Sequence, residues 1–158
     1  MASNSASAIR DAGLRVTRPR ILVLDIVAAQ PHSDTDTILR AARTTLPAVS
    51  KQAVYDVLEA LTTSGLVRRI RLGGHSARYE TRIGDNHHHL VCRVCGVIVD
   101  ADCAVGAPPC IQPEHDHGFV LDEAEVTYWG ICPDCAPTQT IAASDHSQKT
   151  SSIGKDHP

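Results

Sequence analysis

Large aromatic side chains are nearly absent from this chain: 158 residues hold one Phe, one Trp and three Tyr. A core built without them relies on aliphatic packing, and a small lobe so built often needs a metal staple or a partner subunit. No apolar run reaches transmembrane length, and no charged-then-apolar export signal opens the chain. A cytoplasmic protein with no membrane partner is therefore expected, and there paired cysteines serve as metal ligands or redox thiols rather than structural disulfides. His-x-Glu is also missing. A zinc deaminase needs that general-base spacing and an open metal position. A zinc enzyme, which Cys132-Pro133-Asp134-Cys135 loosely evokes, is thus the disfavoured alternative.

The net charge of −3 hides an asymmetry. Residues 1–83 hold twelve Lys/Arg against seven Asp/Glu, whereas residues 84–158 hold three against eleven. A basic half beside an acidic half points to nucleic acid on one side only, although solvated charge would look the same.

In the basic half, residues 1–8 are Ser/Ala-rich and expected to be loose, with a short helix over 6–12 stopped at Gly13. Thr17 offers an N-cap with Pro19 in the first turn, and Ile21, Leu24, Val27 and Ala28 follow at helical spacing. A helix over 34–45 would bury Ile38, Leu39 and Ala42. Ser50 then caps a helix carrying Ala53, Val54, Val57, Leu58 and Leu61 on one face, and Gly65 ends it. Two helices joined by a short turn form a helix-turn-helix, whose second helix enters the DNA major groove by its first turns. Ser50, Lys51, Gln52 and Tyr55 fall there. A helical hairpin packing its own core has the same pattern. The following segment favours DNA: Leu66–Leu72, Gly73-Gly74 and Ser76–Glu80 read as a β-hairpin with Arg68, Arg69 and Arg71 on its first strand. Helix-turn-helix plus basic hairpin makes a winged helix, its arginines suited to phosphate contacts.

The acidic half carries Cys92-x-x-Cys95 and Cys132-x-x-Cys135. Two such knuckles supply four thiolates, a closed tetrahedral set for zinc. His87-x-His89 stands just before the first knuckle, and on a strand both imidazoles face one side while His88 faces the other. Histidine runs also occur as solvated loop, but Glu80 and Asp100 flank this one. Imidazoles with carboxylates suit Fe(II), Mn(II) or Zn(II), so two metal sites are implied. Strands are expected over 90–92, 97–99, 120–121 and 126–131, arranged antiparallel, with one helix within 115–118 or upstream.

These pieces together resemble the ferric uptake regulator family of metal-sensing transcription factors. The resemblance spans residues 9–136 and lies in Gly13-Leu14-Arg15-Val16-Thr17-Arg18-Pro19-Arg20, Ala53-Val54-Tyr55, Gly65-Leu66-Val67, Arg78-Tyr79-Glu80, the His87 to Gly96 run, and Tyr128-x-Gly130-x-Cys132-x-x-Cys135. It implies an α+β chain: a winged-helix DNA-binding domain over 1–83, an α/β dimerisation domain over 84–137, and a tail over 138–158, the last read as disordered from its polar composition. It also implies a homodimer on a palindromic double-stranded operator, with Arg15 and Arg18 added to the DNA-binding residues. Cys92, Cys95, Cys132 and Cys135 would hold structural zinc. His32, Glu80, His87, His89 and Asp100 would hold a regulatory Fe(II) or Mn(II), which Zn(II) can replace in purified protein.

Asp100 is similar to the peroxide-sensing members, Glu80 to the iron-uptake members, and the text around both to repressors of catalase-peroxidase genes. In such sensors peroxide reacting with bound Fe(II) oxidises a ligand histidine, here His32 or His87. The alternative is an iron- or zinc-responsive repressor of metal uptake without an oxidant role. A further family site is replaced here by Asn86, His88 and Ala124. His115, Asp116 and His117 are read first as a solvated loop, and only second as its substitute. Cys103 and Cys110 are an extra pair, either idle thiols or a thiol switch.

Overall fold

Capping residues set the frame of the N-terminal half. The computed structural model describes residues 2–71, 73, 76–85, 87–102, 113–121 and 124–138. Helix α1 spans Ala2–Asp11, so residues expected to be loose are helical. Nothing in that Ser/Ala stretch breaks a helix, Ile9 is fully buried, and the Ser5 hydroxyl donates to Asp25 Oδ1 at 2.5 Å. Gly13 ends it at φ 74°, where the amides of Gly13 and Leu14 bond back to Arg10 and Ile9. Helix α2 (Arg18–Ala29) has Pro19 in its first turn, but Thr17 makes no side-chain cap. Helix α3 (Thr35–Thr45) is capped by Asp34 accepting from the Thr37 amide, and α4 (Lys51–Thr63) by Ser50 accepting from the Ala53 amide.

The core these helices enclose is aliphatic: Ile9, Val23, Leu24, Val27, Ile38, Leu39, Val54, Leu58, Leu61 and Val67, with Tyr79. Ala28, expected on the buried face, is exposed; Val23 takes the place next to Leu24. The hairpin follows as β2 (Arg68–Ile70) and β3 (Arg78–Glu80). Leu72, Gly74 and His75 at its turn lie outside the described residues. A two-residue strand that the sequence did not announce, β1 (Ser33–Asp34), pairs with the other edge of β3 and completes an antiparallel β1-β3-β2 sheet.

The second sheet has the order β5-β4-β6, with β4 over His87–Cys92, β5 over Ile98–Asp102 and β6 over Thr127–Gly130. The expected all-antiparallel arrangement is corrected here. Strand β6 runs parallel to β4, which the long connection over 103–126 permits. Val120 and Leu121 form no strand and are exposed, and no helix occurs over the described residues 113–121. The amides of Gly118 and Phe119 instead turn back onto Asp116. An upstream helix, Cys103, Cys110 and the 139–158 tail lie outside the described residues.

Register decides the two faces of this sheet. His87 pairs with Asp102, His89 with Asp100 and Val91 with Ile98, so these six side chains share one face. Below the imidazoles that face packs Val91, Ile98 and Trp129 against Ile70 of the hairpin. The opposite face carries His88, Leu90, Val99 and Tyr128, and the last three are about half exposed. Among the described residues no helix is long and apolar enough to cross a membrane.

Candidate metal centres

The thiol cluster forms where β4 ends. Cys92 is its last residue, and a turn closed by Gly96 N–H on Cys92 O brings Cys95 back beside it. Gly96 adopts φ 72° there, a conformation that glycine reaches without steric cost. Because β6 lies beside β4, Cys132 follows directly, its amide donating to Cys92 Sγ at 3.3 Å. A second turn, Cys135 N–H on Cys132 O, delivers the fourth thiol.

All four sulfurs lie within 4.8 Å of one another, and Cys95 Sγ and Cys132 Sγ are 3.7 Å apart. That is far beyond a disulfide bond but close to the ~3.8 Å edge of a tetrahedron with ~2.3 Å metal–sulfur bonds. Hydrogen bonds from the Cys95 and Cys132 amides pull the Cys92 thiol down to about 6. The crowding thiols of Cys132 and Cys95 push Cys135 up to about 12. One thiolate forms readily and opposes the next, which a divalent cation at the centre reverses.

The second cluster joins the two halves of the chain. His32 enters from the α2–β1 connection with φ 60°, fixed by its amide donating to Tyr79 O at 2.8 Å. Its Nε2 lies 3.0 Å from Glu80 Oε2 and 2.8 Å from Asp100 Oδ1. His89 Nε2 is 3.3 Å from the same Glu80 oxygen and 3.7 Å from the same Asp100 oxygen. Donor atoms of His32, Glu80, His89 and Asp100 all fall within 4.8 Å of one another.

His87 stands one step outside this foursome. Its Nε2 is 3.2 Å from Glu80 Oε1, its Nδ1 is 2.7 Å from Asp85 Oδ1, and its ring lies 4.9 Å from that of His89. His88 faces the other way, against the Tyr128 ring at 6.2 Å.

Glu80 is fully buried, and a buried carboxylate demands a cation. Burial alone would raise its pKa, but hydrogen bonds from His32 and His89 hold it down at about 2. Burial likewise lowers His32, yet the Glu80 hydrogen bond and Asp100 charge outweigh it and its pKa is raised. A proton on His32 thus does in part what a metal ion would do. Glu80 Oε1, His87 Nε2 and Asp100 Oδ1 are buried without an aligned hydrogen bond despite their close neighbours. Lone pairs converging without donors between them fit a cation site. Both clusters therefore support metal binding.

The residues expected at DNA lie elsewhere, on the helical half. Ser50, Lys51 and Gln52 are exposed at the start of α4, with Tyr55 one turn on. Lys51 Nζ pairs with Asp36 at 2.8 Å, and Gln52 donates to Asp56. Arg15, Arg18, Arg69 and Arg71 are exposed and Arg68 half-buried; Arg71 lies just past the end of β2. Two site residues escaped sequence reasoning, Asp85 and Arg82. Asp85 stands two positions before His87, and Arg82 pairs with Asp85 and Asp102. A search restricted to ligand-type side chains passes over the arginine. His115 and His117 sit on an exposed loop, rings 6.3 Å apart.

The ferric uptake regulator family profile matches residues 11–129. The chain is 62% identical over 135 residues to the transcriptional regulator FurA of Mycobacterium tuberculosis, covering 85% of this chain and 92% of that one. It is 60% identical over 121 residues to ferric uptake regulation protein 1 of Mycolicibacterium fortuitum, covering 77% and 75%. Its fold is similar to the crystal structure of the Campylobacter jejuni peroxide stress regulator, with a TM-score of 0.63, 25% identity, and 82% and 94% of the two chains covered.

Proposed function

Since the chain belongs to the ferric uptake regulator family, we propose that it is a peroxide-sensing repressor whose hold on DNA is set at His32, Glu80, His87, His89 and Asp100. At the coarser level it is a metal-dependent transcriptional regulator and not an enzyme, and regulators of this family bind DNA operators as dimers. The observation that carries the reading is the placement of His32. It comes from the helical half yet shares a carboxylate cage with His89 and Asp100 of the second sheet. An ion that prefers this closed cage shifts the population toward it. The two helical halves of a dimer are then held at the spacing of a palindromic operator.

In this reading residues 1–83 bind DNA. Ser50, Lys51, Gln52 and Tyr55 meet the major groove, and Arg15, Arg18, Arg68, Arg69 and Arg71 meet phosphates. Lys51 exchanges Asp36 for a phosphate. Residues 84–137 form the dimer lobe, in which Cys92, Cys95, Cys132 and Cys135 hold a permanent zinc. The half-exposed Leu90, Val99 and Tyr128 face the second copy. The regulatory ion is Fe(II) or Mn(II). Ferrous iron, when bound, supplies the electron that activates peroxide beside His32 and His87. These imidazoles would hold the ion by a nitrogen lone pair, and a ring that takes one peroxide oxygen onto carbon, the other leaving as water, would no longer offer that lone pair and would release the cage.

The test is operator binding by zinc-loaded protein with Mn(II) or with Fe(II), each with and without peroxide. Loss of binding only with Fe(II) plus peroxide is expected. Equal peroxide sensitivity with both ions moves the sensing to thiols. Peroxide resistance with both leaves a metal-uptake repressor, the second reading that Glu80 favours by resemblance.

A further inference from the structure

Taking the His32–Glu80–His89–Asp100 cluster as a metal site, as read above, we propose that Arg82 is its positioning residue: one guanidinium brackets Asp85, which aims His87, and Asp100, which meets His32. Arg82 lies in the connection between β3 and β4. Its Nε donates to Asp85 Oδ2, its Nη2 lies 2.6 Å from Asp102 Oδ1, and its Nη1 lies 3.6 Å from Asp100 Oδ2. Asp85 and Asp100 each turn one oxygen to this guanidinium and the other to an imidazole. Asp85 Oδ1 meets His87 Nδ1 at 2.7 Å, and Asp100 Oδ1 meets His32 Nε2 at 2.8 Å.

The chemistry of that bracket is specific. An ionised carboxylate only accepts hydrogen bonds, so with an ion in the cage Asp85 would hold the proton on His87 Nδ1 and leave Nε2, 3.2 Å from Glu80 Oε1, to the ion. Asp100 and Asp102 rise from the same face of β5, and together with Asp85 they gather three negative charges around one cation. Remove the cation and the three repel. Asp85 then turns to solvent and His87 loses its support. A lysine is a point charge without the planar fork, so it satisfies one acid rather than three.

Removing a positive charge also makes the site more attractive to a metal ion. That opposing effect is small, because the Arg82 side chain is 38% exposed and its field is screened by water and salt. Loss of a carboxylate that orients a ligand histidine costs on the order of 10- to 100-fold in metal affinity. Orientation therefore wins.

The experiment titrates Mn(II) into full-length, zinc-loaded wild type, Arg82→Ala and Arg82→Lys, following the free-ion signal by electron paramagnetic resonance. Arg82→Ala is expected to bind on the order of 10- to 100-fold more weakly, with zinc content and melting temperature unchanged. Arg82→Lys stays clearly weaker than wild type. Wild-type affinity in Arg82→Ala, or full recovery in Arg82→Lys, overturns the bracket and leaves the metal site standing. Wild type that takes up no Mn(II) at all overturns both.

Discussion

Glu80 is the residue on which both halves of the cage converge, with His32 on one side and His87 and His89 on the other. Its protonation links the cage to pH, as does that of His32. The Glu80 pKa falls from an ordinary 4.5 to about 2, so its stabilising contribution is complete above about 4.5 and lost as pH falls through 2. The His32 pKa is raised above 6.5, so its contribution is complete below 6.5 and lost as pH rises through the raised value. Zinc-loaded protein without a regulatory ion is thus expected to hold the cage most firmly between about 4.5 and 6.5. Urea unfolding across pH checks this. Glu80→Gln should flatten both limbs, and an unchanged profile in that variant would mean the contacts do not couple to folding. Most of the cage could be read from residue types alone, because His and carboxylate near a strand of alternating imidazoles are recognisable ligands. Arg82 could not, since a guanidinium never ligates and its role depends on where three acids point.

At the scale of elements, β1 is the short link between the cage and the helices. It begins immediately after His32, and its second residue, Asp34, caps α3 at the Thr37 amide while its other oxygen takes Arg78 at 3.2 Å. The first turn of α3 in turn presents Asp36 to Lys51 at the start of α4. Asp34→Ala is expected to cost about 1 kcal/mol of stability through the cap and to weaken the metal dependence of operator binding. Chemical denaturation and DNA titration of the same variant measure the two effects. Lost stability with intact metal response would confine Asp34 to capping. Helices α2 to α4 were readable because their apolar spacing is local, and α4 also because Ser50 caps it as expected, whereas Thr17 does not cap α2. By contrast, β1 has two residues and owes its existence to partners 44 and 46 positions along the chain, Asp34 opposite Arg78 and Ser33 opposite Tyr79. The parallel course of β6 is equally non-local, and the alternation that marks a strand says nothing of its direction.

Across the whole molecule, the two sheets divide the work between an aliphatic helical half and a strand lobe that carries the thiol cluster. Among the described residues the apolar core of the strand lobe is Val91 and Ile98 with Trp129, packed against Ile70 of the hairpin, a small core for its size. It leaves Leu90, Val99 and Tyr128 half exposed in one neighbouring set. In the proposed reading a second copy completes this face. Leu90→Asp is expected to shift the protein from dimer to monomer in sedimentation at micromolar concentration, and to reduce operator affinity while Mn(II) uptake persists. A dimer that survives Leu90→Asp would place self-association elsewhere.

Strand β4 shows its imidazoles on one side and Leu90 on the other, and alternate side chains of an extended chain are locked to opposite sides. A single extra amino acid inserted between His89 and Cys92 would therefore invert the strand. It would turn histidines toward the neighbouring copy and slide an aliphatic group among the carboxylates. Lengthening or shortening this stretch by one is therefore expected, in the proposed reading, to cost ion capture and pairing of copies in the same event.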